Sequence, residues 1–152
     1  MIDFKDWAVI GYNDDTGIGN QLDAIKSDIG ITRHLVIPSK KLVTKPLTDT
    51  NEVLIDKDFS SDQLEYCLQG VRVLLFIETL GWHEKLFEVA SKLGIKTVCL
   101  VNWEWFNPDD PNWRKVDFLA AATRYTISFL KGLGFSNLLY FPPPIKLKEL
   151  PV

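Results

Sequence analysis

Residues 71–77, Val71-Arg72-Val73-Leu74-Leu75-Phe76-Ile77, form the longest nearly apolar run in the chain. Successive side chains of a strand point to opposite faces, so a run this uniformly apolar has to be covered on both. Cover on both faces is the mark of a parallel sheet, and the run reads as its central strand. Runs of the same character lie on either side. Trp7-Ala8-Val9-Ile10-Gly11 and His34-Leu35-Val36-Ile37 precede it, the latter stopped by Pro38. Glu52-Val53-Leu54-Ile55 is a short third strand. Lys96-Thr97-Val98-Cys99-Leu100-Val101, Asp117-Phe118-Leu119-Ala120-Ala121 and Asn137-Leu138-Leu139-Tyr140-Phe141 follow it.

Between these strands the period changes to that of a helix. Ile18, Leu22, Ile25 and Ile29 fall on one helical face, and Gly30 supplies a stop. Ser60 or Ser61 caps a helix running to about Gln69, with Gln63 three residues after Ser60 as in a capping box, and Gly70 ends it. A helix from Trp82 to Leu93 presents Leu86, Val89, Ala90 and Leu93, closed by Gly94. Thr123 caps a last helix carrying Ile127, Leu130 and Leu133, closed by Gly134. Residues 38–51 read as a long loop. Strands alternating with helices predict an α/β, doubly wound, mostly parallel sheet of six to seven strands in one Rossmann-like domain. That domain spans residues 1–145, with 146–152 as a tail or the start of an interdomain linker.

Composition narrows the function classes. At 152 residues, against about 150 per domain, the chain reads as one domain and can bury a real core. Its 46% hydrophobic and 24% charged residues exclude a disordered or collagen-like chain. Seventeen basic against 20 acidic residues give a net charge of −3, without the clustered Lys and Arg of a nucleic-acid footprint. The densest basic group, Lys40, Lys41 and Lys45, falls in the predicted loop. Cys67 and Cys99 sit in apolar runs and read as reduced core thiols. No spacing of His and Cys suggests a metal, and no cofactor is expected. With no signal peptide and no apolar stretch near the ~20 residues of a membrane span, a cytoplasmic location is expected.

In an open parallel sheet, ligands bind beyond the carboxyl ends of the strands where the strand order reverses. Three segments fall there. The first, Asn13-Asp14-Asp15-Thr16-Gly17-Ile18-Gly19, turns from strand one into a helix. Gly17 and Gly19 let the backbone approach a ligand, and the free N–H groups of a helix start favour an anionic group. A tight turn capped by Asp or Thr is the plainer reading of the same residues. The second, Glu78-Thr79-Leu80-Gly81-Trp82, follows the central strand. A carboxylate at Glu78 can accept from sugar hydroxyls or act as a general base; pairing with a nearby cation is the plainer reading. The third, Asn102-Trp103-Glu104-Trp105-Phe106, offers Trp103 and Trp105 as a stacking wall and Glu104 as a hydroxyl acceptor. Trp7 and Trp113 read as core. His34 reads as structural; His83 lies closer to this edge.

These segments resemble the N-terminal half of two-domain GT-B glycosyltransferases. The likeness is carried by Asp15-Thr16-Gly17-Ile18-Gly19, Ile77-Glu78, the Asn102–Phe106 segment, Asp109-Asp110-Pro111-Asn112-Trp113 with Asp117, Ala122–Thr126 and Leu139–Ile145. It covers roughly residues 5–150. The resemblance implies a Rossmann-like half that binds the hydroxyl acceptor and borders the phosphates of a nucleotide-sugar donor. Asp14, Asp15 or Glu78 is then the candidate base or acceptor ligand. Asn13, Thr16, Gly17, Gly19, Thr79, Trp103, Glu104 and Trp105 are the candidate binding residues. The donor is held mostly by a second Rossmann half, often through a Glu-x7-Glu motif, which this chain does not contain. Transfer is therefore expected only with a separate donor-binding domain. Homo-oligomerisation is a second expected association. A stand-alone module that binds or sequesters a nucleotide or phosphorylated small molecule fits the same glycine turn and aromatic edge.

Overall fold

The computed structural model describes residues 4–13, 17–31, 33–38 and 51–141. A single sheet of seven strands carries the fold. In chain order the strands are β1 (Trp7–Tyr12), β2 (Arg33–Ile37), β3 (Glu52–Leu54), β4 (Val73–Ile77), β5 (Lys96–Val101), β6 (Phe118–Ala121) and β7 (Leu138–Tyr140). Every neighbouring pair is parallel. The order across the sheet is β3-β2-β1-β4-β5-β6-β7. The chain thus builds outward from β1 in one direction, returns, and builds outward from β4 in the other. The reversal lies between β1 and β4.

Four α-helices cover the faces: α1 (Gly17–Ile29), α2 (Ser61–Cys67), α3 (Leu86–Lys92) and α4 (Arg124–Gly132). The central strand shows why both faces must be apolar. Leu74 and Phe76 of β4 join the core beneath α2, α3 and α4, with Leu64, Leu86, Ala90 and Leu130. Leu75 and Ile77 join the opposite core with Leu22 and Ile25 of α1. These four side chains of β4 are fully buried, and Val73 at its start is partly so. Truncating Phe76 to Ala is expected to cost about 3–5 kcal/mol, the cost of a large core cavity.

The local stop and start signals act as the sequence suggests. The Ser60 hydroxyl accepts from the Gln63 N–H and the Gln63 side chain accepts from the Ser60 N–H, a complete capping box on α2. The Thr123 hydroxyl caps α4 through the Thr126 N–H. Gly30, Gly70, Gly94 and Gly134 take positive φ at or just beyond the helix ends, where a Cβ would be strained. One boundary differs. The helix expected from Trp82 begins at Leu86. Trp82 instead donates its indole N–H to the Ile77 carbonyl, and the Lys85 N–H donates to His83 Nδ1, so the chain is held in turns before the helical ladder starts. Leu93, expected on the buried face, is the C-cap and is exposed. Residues 39–50 of the predicted loop, the triple proline and the 146–152 tail lie outside the described residues. No described helix is long and apolar enough to cross a membrane.

A polar cluster sits under α1. His34, fully buried on β2, has Nε2 3.2 Å from the Gly11 carbonyl and Nδ1 3.1 Å from Lys26 Nζ. Lys26 also reaches Glu52 at 3.4 Å. Lys26 can only donate, so His34 is neutral with its proton on Nε2, donated to Gly11. Burial first and the Lys26 charge second push its pKa down to about 4. The unfolded chain, with an ordinary histidine near 6.5, therefore takes up the proton first as pH falls. The stabilisation from neutral His34 is complete above pH 6.5 and is lost as pH falls toward 4, by at most about 3 kcal/mol. Urea unfolding at intervals from pH 7 to 4.5 should show this slope, and a His34→Gln variant should lack that part of it. Equal slopes in the two proteins would contradict the assignment.

Candidate functional site

The reversal point places two strand ends side by side. On the β1 side lie Tyr12 and Asn13, the latter 6% exposed. Asp14, Asp15 and Thr16 lie outside the described residues. Gly17 opens α1, and Gly19 is buried in its first turn. On the β4 side the chain leaves the sheet through Glu78 in an unusual conformation. Glu78 has φ of 63°, the one described non-glycine residue with positive φ. The Thr79 N–H donates to the Ile77 carbonyl at 2.7 Å. A hydrogen bond from i+2 to i around a positive-φ residue is a γ-turn of the rarer, strained kind. For a residue with a Cβ the left-handed region costs roughly 1–2 kcal/mol.

Three contacts hold that turn. The Glu78 N–H donates to the Leu100 carbonyl at 2.8 Å, which extends the β4–β5 ladder one residue past the strand. The Trp82 indole N–H donates to the Ile77 carbonyl at 2.8 Å, so this oxygen serves two donors. The Gly81 N–H donates to the Thr79 hydroxyl at 3.0 Å. Trp82 is fixed in turn by an edge-to-face contact with Tyr12, ring centroids 4.8 Å apart. The turn thus ties β4 to both its neighbours, β1 through Tyr12 and β5 through Leu100.

Glu78 stands between two clefts. On one side a cleft of about 230 Å³ is lined by Gln21, Glu78, Asn102, Trp103, Thr123 and Thr126, among others. Trp103 is 41% exposed and packs edge-on against Tyr125 at 5.5 Å, presenting an aromatic wall at the cleft. Glu104 is exposed on the same short 3-10 turn, Trp103–Trp105, and its N–H is held by the Asn102 side chain. The Trp105 side chain lies outside the description. On the other side a cleft of about 450 Å³ includes Tyr12, Glu78, Thr79, Trp82, Asp110 and Trp113 in its lining. The carboxylate's field reaches the core behind it. Burial pushes the Cys99 thiol well up, and the Glu78 charge adds to that. Cys99 and Cys67 are both free thiols.

The structure therefore gathers Glu78, Thr79 and Trp103 at one edge, with Gln21 of α1 beside them, while Asn13 is buried and lines neither cleft. Sequence reasoning missed Gln21, one turn into α1, whose signal was only its position four residues after Gly17. It also missed Asp110 as a cleft residue. Asp110 caps the short helix Pro111–Arg114 by accepting from the Asn112 N–H, a role its Asp-Pro-Asn context does signal. Among the described residues no group of three or more His, Cys, Asp or Glu side chains is placed to hold a metal ion.

The strain at Glu78 has a measurable signature. Glu78→Gly and Glu78→Ala both remove the carboxylate, and only glycine accepts the left-handed turn without penalty. The glycine variant should be the more stable of the two by about 1 kcal/mol in thermal or urea unfolding. An alanine variant of equal or greater stability would show that the turn is not left-handed. In comparisons with known proteins, no family model matches the chain, and no match is found among curated proteins or solved structures.

Proposed function

We propose that this chain is the acceptor-side domain of a GT-B-type glycosyltransferase. It binds a sugar or other hydroxyl acceptor at the carboxyl edge of the sheet and borders the phosphates of a nucleotide-sugar. The observation that carries the reading is the strained γ-turn at Glu78. Strained backbone persists where the surroundings over-determine it, and it clusters at ligand sites. Here it sets a carboxylate at the strand-order reversal, between two clefts, with an exposed tryptophan beside one of them. Aromatic faces stack on the apolar faces of sugar rings, and carboxylates accept from their hydroxyls.

In this reading Glu78 accepts from the acceptor hydroxyl, as its hydrogen-bond partner or as the general base of transfer. Asp14 and Asp15, which follow β1 in the sequence, are the alternative bases. Thr79, Asn13 and Thr16 supply further polar contacts, and Trp103 with Trp105 and Glu104 forms the stacking edge. Gly17 and Gly19, at the start of α1, border the donor phosphates, where helix N–H groups and the helix dipole favour negative charge. Transfer requires a second, donor-binding domain, since the chain has no Glu-x7-Glu pair.

Isothermal titration of free sugars and of nucleotide-sugars into the chain tests this. Sugars should bind, and Glu78→Gln should weaken them about tenfold, the loss of one charge-assisted hydrogen bond. Failure of sugars and nucleotide-sugars alike to bind, with a donor-binding partner added as well, would overturn the proposal. Tight binding of a nucleotide or sugar phosphate without a free-sugar site, insensitive to Glu78→Gln, would favour a stand-alone phosphate-binding module instead.

A further inference from the structure

The cleft holding Tyr12, Trp82 and Trp113 does not end at Asp110. It adjoins a second cavity of about 710 Å³, lined by Leu80, His83, Phe87, Glu88 and Lys115 among others. The two share Thr79, Gly81 and Asp110. Each falls in the size range of a small-ligand pocket, roughly 300–1,000 Å³, so together they exceed what one sugar ring fills.

Each cavity is lined by a residue with an unsatisfied buried donor. Trp113, 6% exposed, has no partner for its indole N–H. His83, 5% exposed, accepts the Lys85 N–H at Nδ1, 3.1 Å away. Its neutral ring therefore carries the proton on Nε2, and that N–H has no partner either. With Nδ1 turned to the Lys85 backbone, Nε2 is the ring's remaining polar atom, and it is itself buried. A buried donor left unpaired costs about 1–3 kcal/mol, which an acceptor oxygen arriving with a ligand restores. Nε2, being protonated, is no metal ligand. Asp110 stands where the cavities meet; Oδ1 accepts from the Asn112 N–H, and the carboxylate has a second oxygen for a hydroxyl. Phe87 adds an apolar surface to the outer cavity, and Trp82 and Trp113 add theirs to the inner. Donors that seek oxygen, a carboxylate that seeks hydroxyl and aromatic faces between them match a chain of sugar rings.

We propose that the acceptor is an oligosaccharide of at least two rings, lying in one groove from Glu78 past Asp110 to His83. The ring to be modified sits in the inner cavity beside Glu78, and the next ring takes the His83 N–H in the outer one. This rests on the glycosyltransferase reading above and specifies its acceptor.

The test is titration of hexoses (glucose, galactose, mannose, N-acetylglucosamine) and their α- and β-linked di- and trisaccharides into the whole chain. One oligomer series should bind at least about tenfold tighter than its own monosaccharide. His83→Phe, which keeps a ring and removes the N–H, should erase that gain and leave the monosaccharide affinity in place. Glu88→Gln, an exposed change that does not threaten folding, should reduce the same gain. Equal affinity for monosaccharide and oligomers, or a gain untouched by both substitutions, would overturn the groove while leaving the glycosyltransferase reading standing. Binding of no sugar at all would overturn both.

Discussion

The Ile77 carbonyl ends the central strand and accepts two hydrogen bonds, from the Thr79 N–H and from the Trp82 indole. Together they force the chain to turn within one residue, and that residue is Glu78. The turn consequently takes a backbone conformation that a glycine would adopt freely and a glutamate adopts at a cost. The rest of the edge follows from it. Trp82, drawn back to β4, packs on Tyr12 at the end of β1 and helps wall the inner cleft. Glu78, its N–H bonded to the Leu100 carbonyl, lines both that cleft and the one beside Trp103.

The core explains how such a turn is tolerated. β4 is buried on both faces and paired on both sides, by β1 and β5. A strand so constrained fixes the position of its last carbonyl, and the cost of one strained residue is small against several fully buried apolar side chains at about 1.5–3 kcal/mol each. Strain sits where the scaffold is most rigid, and a ligand site needs that rigidity if its carboxylate is to be pre-positioned.

Much of the fold was legible because burial on both faces leaves a plain mark. Leu74, Leu75, Phe76 and Ile77 can be uniformly apolar only in a covered parallel strand, and the alternating helices follow from Leu22 and Ile25 or from the Ser60–Gln63 capping box. The start of α3 was not legible, because the indole of Trp82 and the ring of His83 capture backbone groups that helix periodicity assigns to the helix. The site was half legible. Glu78 and Trp103 announce themselves by residue type at strand ends. The left-handed turn does not, since nothing in Ile-Glu-Thr signals positive φ, and Asn-Gly or Gly would be the expected markers. The groove past Asp110 depends on how the Asn107–Trp113 segment folds back toward α3, a long-range placement that no local pattern carries.

The central claim is that ligands meet this chain at the carboxyl edge around Glu78. Two-dimensional NMR of the nitrogen-15-labelled protein, titrated with uridine diphosphate-glucose and with a free trisaccharide that binds, reads this directly. The account predicts that the backbone amides of Glu78, Thr79 and Asn102 and the indole resonances of Trp82 and Trp103 shift together. Shifts confined to the opposite edge, around Arg72, Lys96 and Asp117, would contradict it.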